Sequence, residues 1–212
     1  MIDARIRAGE VELQGDLSRP EPARGVVLFA HGSGSSRHSP RNRFVAEELQ
    51  AAGLATLLMD LLTEDEERSE AATGHLRFDI ELLADRLTGA TEWLRSQPDT
   101  ASLAVGYFGA STGAGAALVA AANMPDEVGA IVSRGGRPDL AGPALQQVTA
   151  PTLLIVGGND HQVIEMNRSA LAQLQGKKEI QIVPGAGHLF EESGTLEEVA
   201  RLARDWFVKH LV

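Results

Sequence analysis

The sequence contains no cysteine. Disulfides, thiolate nucleophiles and cysteine-ligated zinc are therefore excluded at once. It is also short of positive charge, with 19 lysines and arginines against 29 aspartates and glutamates, a net charge of −10. The basic residues are scattered, so neither nucleic acid nor an anionic membrane is expected as a partner. Long apolar runs are missing too, since no stretch approaches the ~20 residues of a membrane span. The opening segment MIDARIRAGEVELQGDL is charged throughout, unlike the apolar centre of a signal peptide. No repeat, low-complexity tract or dividing linker is found. A cytoplasmic protein with one domain over residues 1–212 is expected.

What is present is an ordinary globular balance, 43% hydrophobic and 23% charged, sufficient for a normal core. Residues 2–8 and 10–17 alternate about Gly9 and predict a hairpin. Gly25–Ala30 is a continuous apolar run of the kind buried on both faces of a parallel sheet. A helix follows over Arg41–Ala52 with Gly53 as its cap, then a strand over Leu54–Met59. The acidic stretch Thr63–Arg68 reads as a solvated loop, and the segment 61–75 is placed to fold over a site. Leu83, Leu87, Ala90 and Leu94 mark an amphipathic helix over about 76–96. Further strands are expected at Ser102–Phe108, Val128–Ser133, Thr152–Val156 and Glu179–Val183. Helices are expected at Ser111–Asn123, about 163–175 and about 195–210. Strands alternating with helices imply an α/β fold, a mostly parallel sheet of about seven to eight strands with helices on both faces and no separate cap domain.

The chemistry concentrates in Gly109-Ala110-Ser111-Thr112-Gly113, a G-x-S-x-G motif between an expected strand and an expected helix. A sharp strand-to-helix turn there lifts the serine hydroxyl above the sheet, with free helix N–H groups behind it. Serine needs a base held in one tautomer, and in this arrangement the chain order is serine, acid, histidine. His188 lies in the loop Pro184-Gly185-Ala186-Gly187 just after the final strand, and Asp160 ends the Gly157-Gly158-Asn159 loop after the preceding one. Both loops leave the sheet at the edge where Ser111 sits. The loop His31-Gly32-Ser33-Gly34 follows the first central strand, so backbone N–H groups of Ser33 and Thr112 are the expected oxyanion donors.

The HGSGSS loop, the GASTG elbow, the GGND loop and the GAGH loop together resemble an α/β-hydrolase, particularly its small, lidless dienelactone-hydrolase-like branch. The resemblance runs from Val26 to the last helix. It implies a serine hydrolase acting on a small ester through an acyl-enzyme, with no cofactor and no metal. Dienelactone hydrolases carry a cysteine at the elbow; here serine stands there, so the hydrolytic chemistry carries over and the lactone substrate does not.

Other readings compete with this one. Asp139 is a rival acid, because a supporting carboxylate can sit after the previous strand. His161 reads as a surface residue, and His31, His38 and His75 match no ligand spacing for a metal. Gly109-x-x-x-Gly113-x-Gly115 has the glycine spacing of short-chain dehydrogenases, but it comes late in the chain and the only tyrosine, Tyr107, precedes it. A non-catalytic binding module, an acyltransferase and a thioesterase would leave the same residues in place. Finally, Arg134 and Arg137 flank Gly135-Gly136 at the site edge and could grip a substrate carboxylate or phosphate, or merely pair with Asp139 or Asp60.

Overall fold

The computed structural model describes residues 2–212, apart from the side chains at 71–73. Among the described residues, eight strands form one sheet in the order β1-β2-β4-β3-β5-β6-β7-β8. The hairpin β1 (Ile2–Ala8) and β2 (Val11–Ser18) is antiparallel and joins the sheet antiparallel to β4 (Ala55–Met59). The remaining pairs are parallel: β3 (Val26–Ala30), β4, β5 (Val105–Ala110), β6 (Val128–Arg134), β7 (Thr152–Gly157) and β8 (Lys178–Val183). Antiparallel pairing is confined to the hairpin edge, as the alternating pattern there predicts.

The central strands are buried throughout because helices cover both faces. Along β3, Val26, Leu28 and Ala30 enter one core and Val27 and Phe29 the other, the two-residue period of a strand. The first face is closed by α3 (Ile80–Ser96), α4 (Thr112–Asn123) and α5 (His161–Gln173). The second is closed by α1 (Pro40–Ala51) and α6 (Thr195–Leu211). Phe29 and Phe108 stack on this second face with ring centroids 4.9 Å apart, a contact worth ~0.5–1.5 kcal/mol beyond the area it buries. On the first face Tyr107 is fully buried and its hydroxyl lies 2.6 Å from Thr91 Oγ1. Thr91 in turn donates to Leu87 O at 2.9 Å.

Two segments differ from the sequence expectation. Thr63–Arg68 is not a loop; α2 runs over Glu64–Thr73. Thr63 Oγ1 accepts from Glu66 N–H, and Glu66 returns a carboxylate oxygen to Thr63 N–H at 2.8 Å, a reciprocal cap. Four acidic residues in the first turn suit the positive end of the helix dipole. Glu66 also binds Arg86 of α3 at 2.7 Å, and buried Glu70 accepts from Leu76 N–H and Arg77 Nε. The second difference is Pro138–Gln147, a segment for which the sequence reading names no element and which winds into 3-10 turns kinked at Gly142. No described helix is long and apolar enough to cross a membrane.

Candidate active site

Every parallel strand releases its chain at one edge of the sheet, and the candidate residues all emerge there. Ser111 is the residue between β5 and α4, with φ 50° and ψ −122°. A non-glycine residue in that region is strained, and such strain persists only where the surroundings impose it. Those surroundings are crowded: a Cβ at Gly113 would stand 2.2 Å from Ala30 O, and one at Gly109 2.4 Å from Ala114 Cα. Only glycine lets β3, β5 and α4 close around the turn. Main-chain bonds hold the serine from the far side as well. Its carbonyl accepts from Arg137 N–H at 3.0 Å and Ala114 N–H at 3.1 Å, while its N–H reaches Arg134 O at 3.4 Å.

His188 and Asp160 are brought together: Nδ1 of the imidazole lies 2.6 Å from Asp160 Oδ2. Asp160 stands at the N-cap of α5 yet makes no capping bond, leaving its carboxylate for the histidine. The two loops are tied by Asn159 N–H to Ala186 O and Asn159 Nδ2 to Gly185 O, both 2.9 Å. Glu192 accepts from Gly187 N–H at 3.0 Å, and buried Phe190, at φ 54°, pins the far end of the histidine loop. The rival acid Asp139 is occupied elsewhere, receiving Arg137 Nε and Nη2 at 2.9 and 2.7 Å. Ser111 and His188 border one cavity of about 250 Å³, which also meets Ser35, Asn42, Arg134 and Leu189. A wider groove of about 1010 Å³, walled on one side by α2, adjoins it through Ser35 and Ser39. Of the segment 61–75, residues between Leu62 and Arg68 border this groove, and none lines the smaller cavity.

Two contacts bear on the expected oxyanion donors and on the two arginines. The Ser33 N–H is already engaged, donating to Thr112 Oγ1 at 2.9 Å. The threonine after the serine offers a hydroxyl acceptor within reach of the loop, which a backbone-only reading of the motif overlooks. Thr112 N–H, at the first position of α4, has no acceptor within its own helix. The second contact separates the arginines. Arg137 holds Asp139 and does not line the cavity, whereas Arg134 lines it and pairs with no described carboxylate.

His31 is a brace. Nε2 accepts from Leu61 N–H at 3.1 Å, so the proton is on Nδ1, which donates to Gly32 O at 2.9 Å. Burial pushes its pKa down and keeps it neutral. Arg37, bonded to Asp60 through its side chain and its N–H, fixes the other end of this loop. His161 is exposed at the start of α5. Arg41 and Asn42, in the first turn of α1, border the cavity and were missed by the sequence reading. Their signal was position: they open the helix that follows the HGSGSS loop, at the same sheet edge.

A family model for the dienelactone hydrolase family matches residues 13–209. A crystal structure of a dienelactone hydrolase from Anabaena variabilis is 64% identical and superposes with a TM-score of 0.98, covering 100% of this chain and 98% of that one. Est1E from Butyrivibrio proteoclasticus has a TM-score of 0.81 at 15% identity, covering 98% of each chain, a likeness of fold alone. The same holds for a lidless α/β serine hydrolase from Xanthomonas campestris, with a TM-score of 0.77 at 19% identity over 98% of this chain and 94% of that one. Two Mycobacterium tuberculosis proteins, from strains CDC 1551 and H37Rv, are 64% identical over 209 residues and bear a provisional phosphoribosyl transferase name. The match takes in 99% of this chain but 46% of theirs, so the chain spans about half the length of these relatives. With a family match that reaches from the second strand into the last helix, and a 64% identical solved structure of the same fold, the chain belongs to the dienelactone hydrolase family.

Proposed function

We propose that the protein is a serine hydrolase that cleaves a carboxylic ester of a small substrate, with Ser111 as nucleophile, His188 as base and Asp160 as the acid that orients the base. The observation that carries this reading is the 2.6 Å approach of His188 Nδ1 to Asp160 Oδ2 at the edge that presents Ser111. A carboxylate on Nδ1 keeps the proton there and leaves Nε2 free to accept one. Ser111 Oγ then attacks the ester carbonyl carbon while its proton passes to His188 Nε2. As the tetrahedral intermediate collapses, that proton goes to the departing alkoxide and the acyl group stays on Ser111. Water, deprotonated by the same nitrogen, releases the acid and restores the serine. Thr112 N–H is the donor assigned to the oxyanion, and Ser33 N–H becomes the second when Thr112 Oγ1 rotates away.

A fluorophosphonate probe tests the assignment. It should label Ser111, read as a modified peptide by mass spectrometry, and Ser111→Ala should abolish the label. Ser111→Ala and His188→Ala should each reduce turnover of an activated acetate by ~10⁴-fold or more. Labelling of another serine, or a tenth of the wild-type rate in either variant, would reject the assignment.

A further inference from the structure

Residues 134–137 reach all three members of the proposed triad through their main chain. Ser111 N–H meets Arg134 O, and Arg137 N–H donates to Ser111 O. A Cβ at Gly135 would stand 3.0 Å from His188 O and 3.7 Å from His188 Cε1, so this peptide lies against the histidine. Gly135 N–H in turn donates to Ile155 O at 2.8 Å, on the strand that leads to Asp160. One side chain fixes this loop from outside. Asn167, fully buried in α5, donates from Nδ2 to Gly136 O at 3.0 Å and to Val163 O at 2.8 Å. Both amide protons are thereby used, and a flipped amide would set Oδ1 against two carbonyl oxygens. The remaining atom, Oδ1, is buried without a partner. Burying an unmet acceptor is unfavourable, and leucine, of nearly the same shape, would avoid it. Val163 O lies one turn back and is a helix acceptor in any case. The bond that only this side chain supplies is the one to Gly136.

Resting on the hydrolase reading above, we infer that Asn167 is a positioning residue for the reaction: its amide locks the 134–137 loop to α5 and so keeps Ser111, His188 and Asp160 in register for proton transfer. Asp160 is the N-cap of that same helix, so the bond joins the acid's helix to the loop that holds the serine and touches the histidine. The loop is built to receive it. A Cβ at Gly136 would stand 1.9 Å from Ser133 Oγ and 2.7 Å from Ala114 Cβ, so only glycine seats this peptide against β6 and α4. Asn167 touches neither substrate nor reacting atoms, and its effect is geometric. A displacement of ~1 Å between reacting groups is enough to cost ~10²-fold in rate.

The test combines steady-state kinetics on 4-nitrophenyl acetate with amide hydrogen exchange read by NMR on the same proteins. Asn167→Leu should lower kcat by ~10–100-fold with little change in KM. Its Tm should stay within ~4 °C of wild type, because the lost bond is offset by removal of a stranded oxygen. Exchange of the Arg137 and Gly135 amides should quicken, while that of Phe108, in the core of β5, should follow global stability alone. Asn167→Ala should lower kcat in the same direction and keeps the test open if leucine does not fit. Ser133→Ala is the control: it deletes an equally buried hydroxyl that has no partner, and should leave kcat where it is. An unchanged kcat in both Asn167 variants, or Arg137 and Gly135 amides that exchange as in wild type, overturns the inference. So does a loss in Ser133→Ala as large as in Asn167→Leu, since any buried deletion would then act alike. If wild-type Ser111 takes no fluorophosphonate label and those amides still quicken in Asn167→Leu, the anchor on the loop stands and the hydrolase reading falls.

Discussion

Asp160→Asn is the sharpest perturbation of the proposed mechanism, because asparagine keeps the shape and removes the charge. In the observed geometry the amide can present either atom to His188 Nδ1. If Nδ2 faces the ring, Nδ1 must accept, the ring proton moves to Nε2, and no base faces Ser111. If Oδ1 faces it, the tautomer survives but the imidazolium formed during attack loses its counter-charge. The Asp160 side chain is 17% exposed, so water replaces little of that lost interaction. The expected fall in kcat is about 10⁴-fold, as for a triad histidine left in the wrong tautomer, or ~5 kcal/mol in barrier. Asp139→Asn is the matched control. Its ion pair with Arg137 is about one-third exposed on both sides, a class of contact worth ~0–1 kcal/mol, so the rate should stay within a factor of ~5. Initial rates on 4-nitrophenyl acetate, with Tm measured on the same preparations, decide the matter. A crippled Asp139→Asn, or an Asp160→Asn that keeps more than a tenth of the wild-type rate, would refute the reasoning.

Three further outcomes are expected. Thr91→Val should destabilise the fold more than Tyr107→Phe, because the first strands a fully buried hydroxyl (~1–3 kcal/mol) and the second removes one bond while Thr91 keeps its acceptor at Leu87 O (~0.5–1.5 kcal/mol); urea midpoints in the reverse order would show the donor directions to be wrong. His31 is held neutral by burial, with its pKa lowered, so its contribution is complete above the unfolded value near 6.5 and is lost as pH falls below it, at up to ~1.4 kcal/mol per pH unit. Urea denaturation at pH 7.5 and 5.5 should therefore show a steeper acid loss in wild type than in His31→Gln, and equal slopes would refute this. Along a neutral 4-nitrophenyl ester series, the 250 Å³ cavity beside Ser111 should favour acetyl and butyryl groups, and a maximum in kcat/KM at dodecanoyl or longer would contradict a small acyl site there.

The parallel core was legible because its strands are apolar runs bounded by glycine-rich loops, and Val26–Ala30 and Thr152–Gly157 are buried along their whole length. The acidic composition of α2 hid a helix whose start is written in Thr63 and Glu66, a local signal outweighed by its surface charge. The turns over Pro138–Gln147 carry no sustained period, being broken at Gly142, and so left no pattern to read. At the site, residue types and strand order were enough to group Ser111, Asp160 and His188, since each leaves a strand at one edge. Side-chain partners were not legible. Whether Arg134 or Arg137 met an acid, and whether Ser33 N–H was free, depended on distances across the fold, from Asn42 in one case and Thr112 in the other.

The grip of the 134–137 loop on Ser111 runs through main-chain atoms only: Arg137 N–H to Ser111 O, and Ser111 N–H to Arg134 O. Any residue with a free N–H at 137, and any residue at 134, can supply those contacts. Side chains at these two positions are thereby released from the task of posing Ser111. The side chains at 134 and 137 could be exchanged without reshaping the elbow. The same two peptide units thus let these side chains vary while Ser111 stays in place.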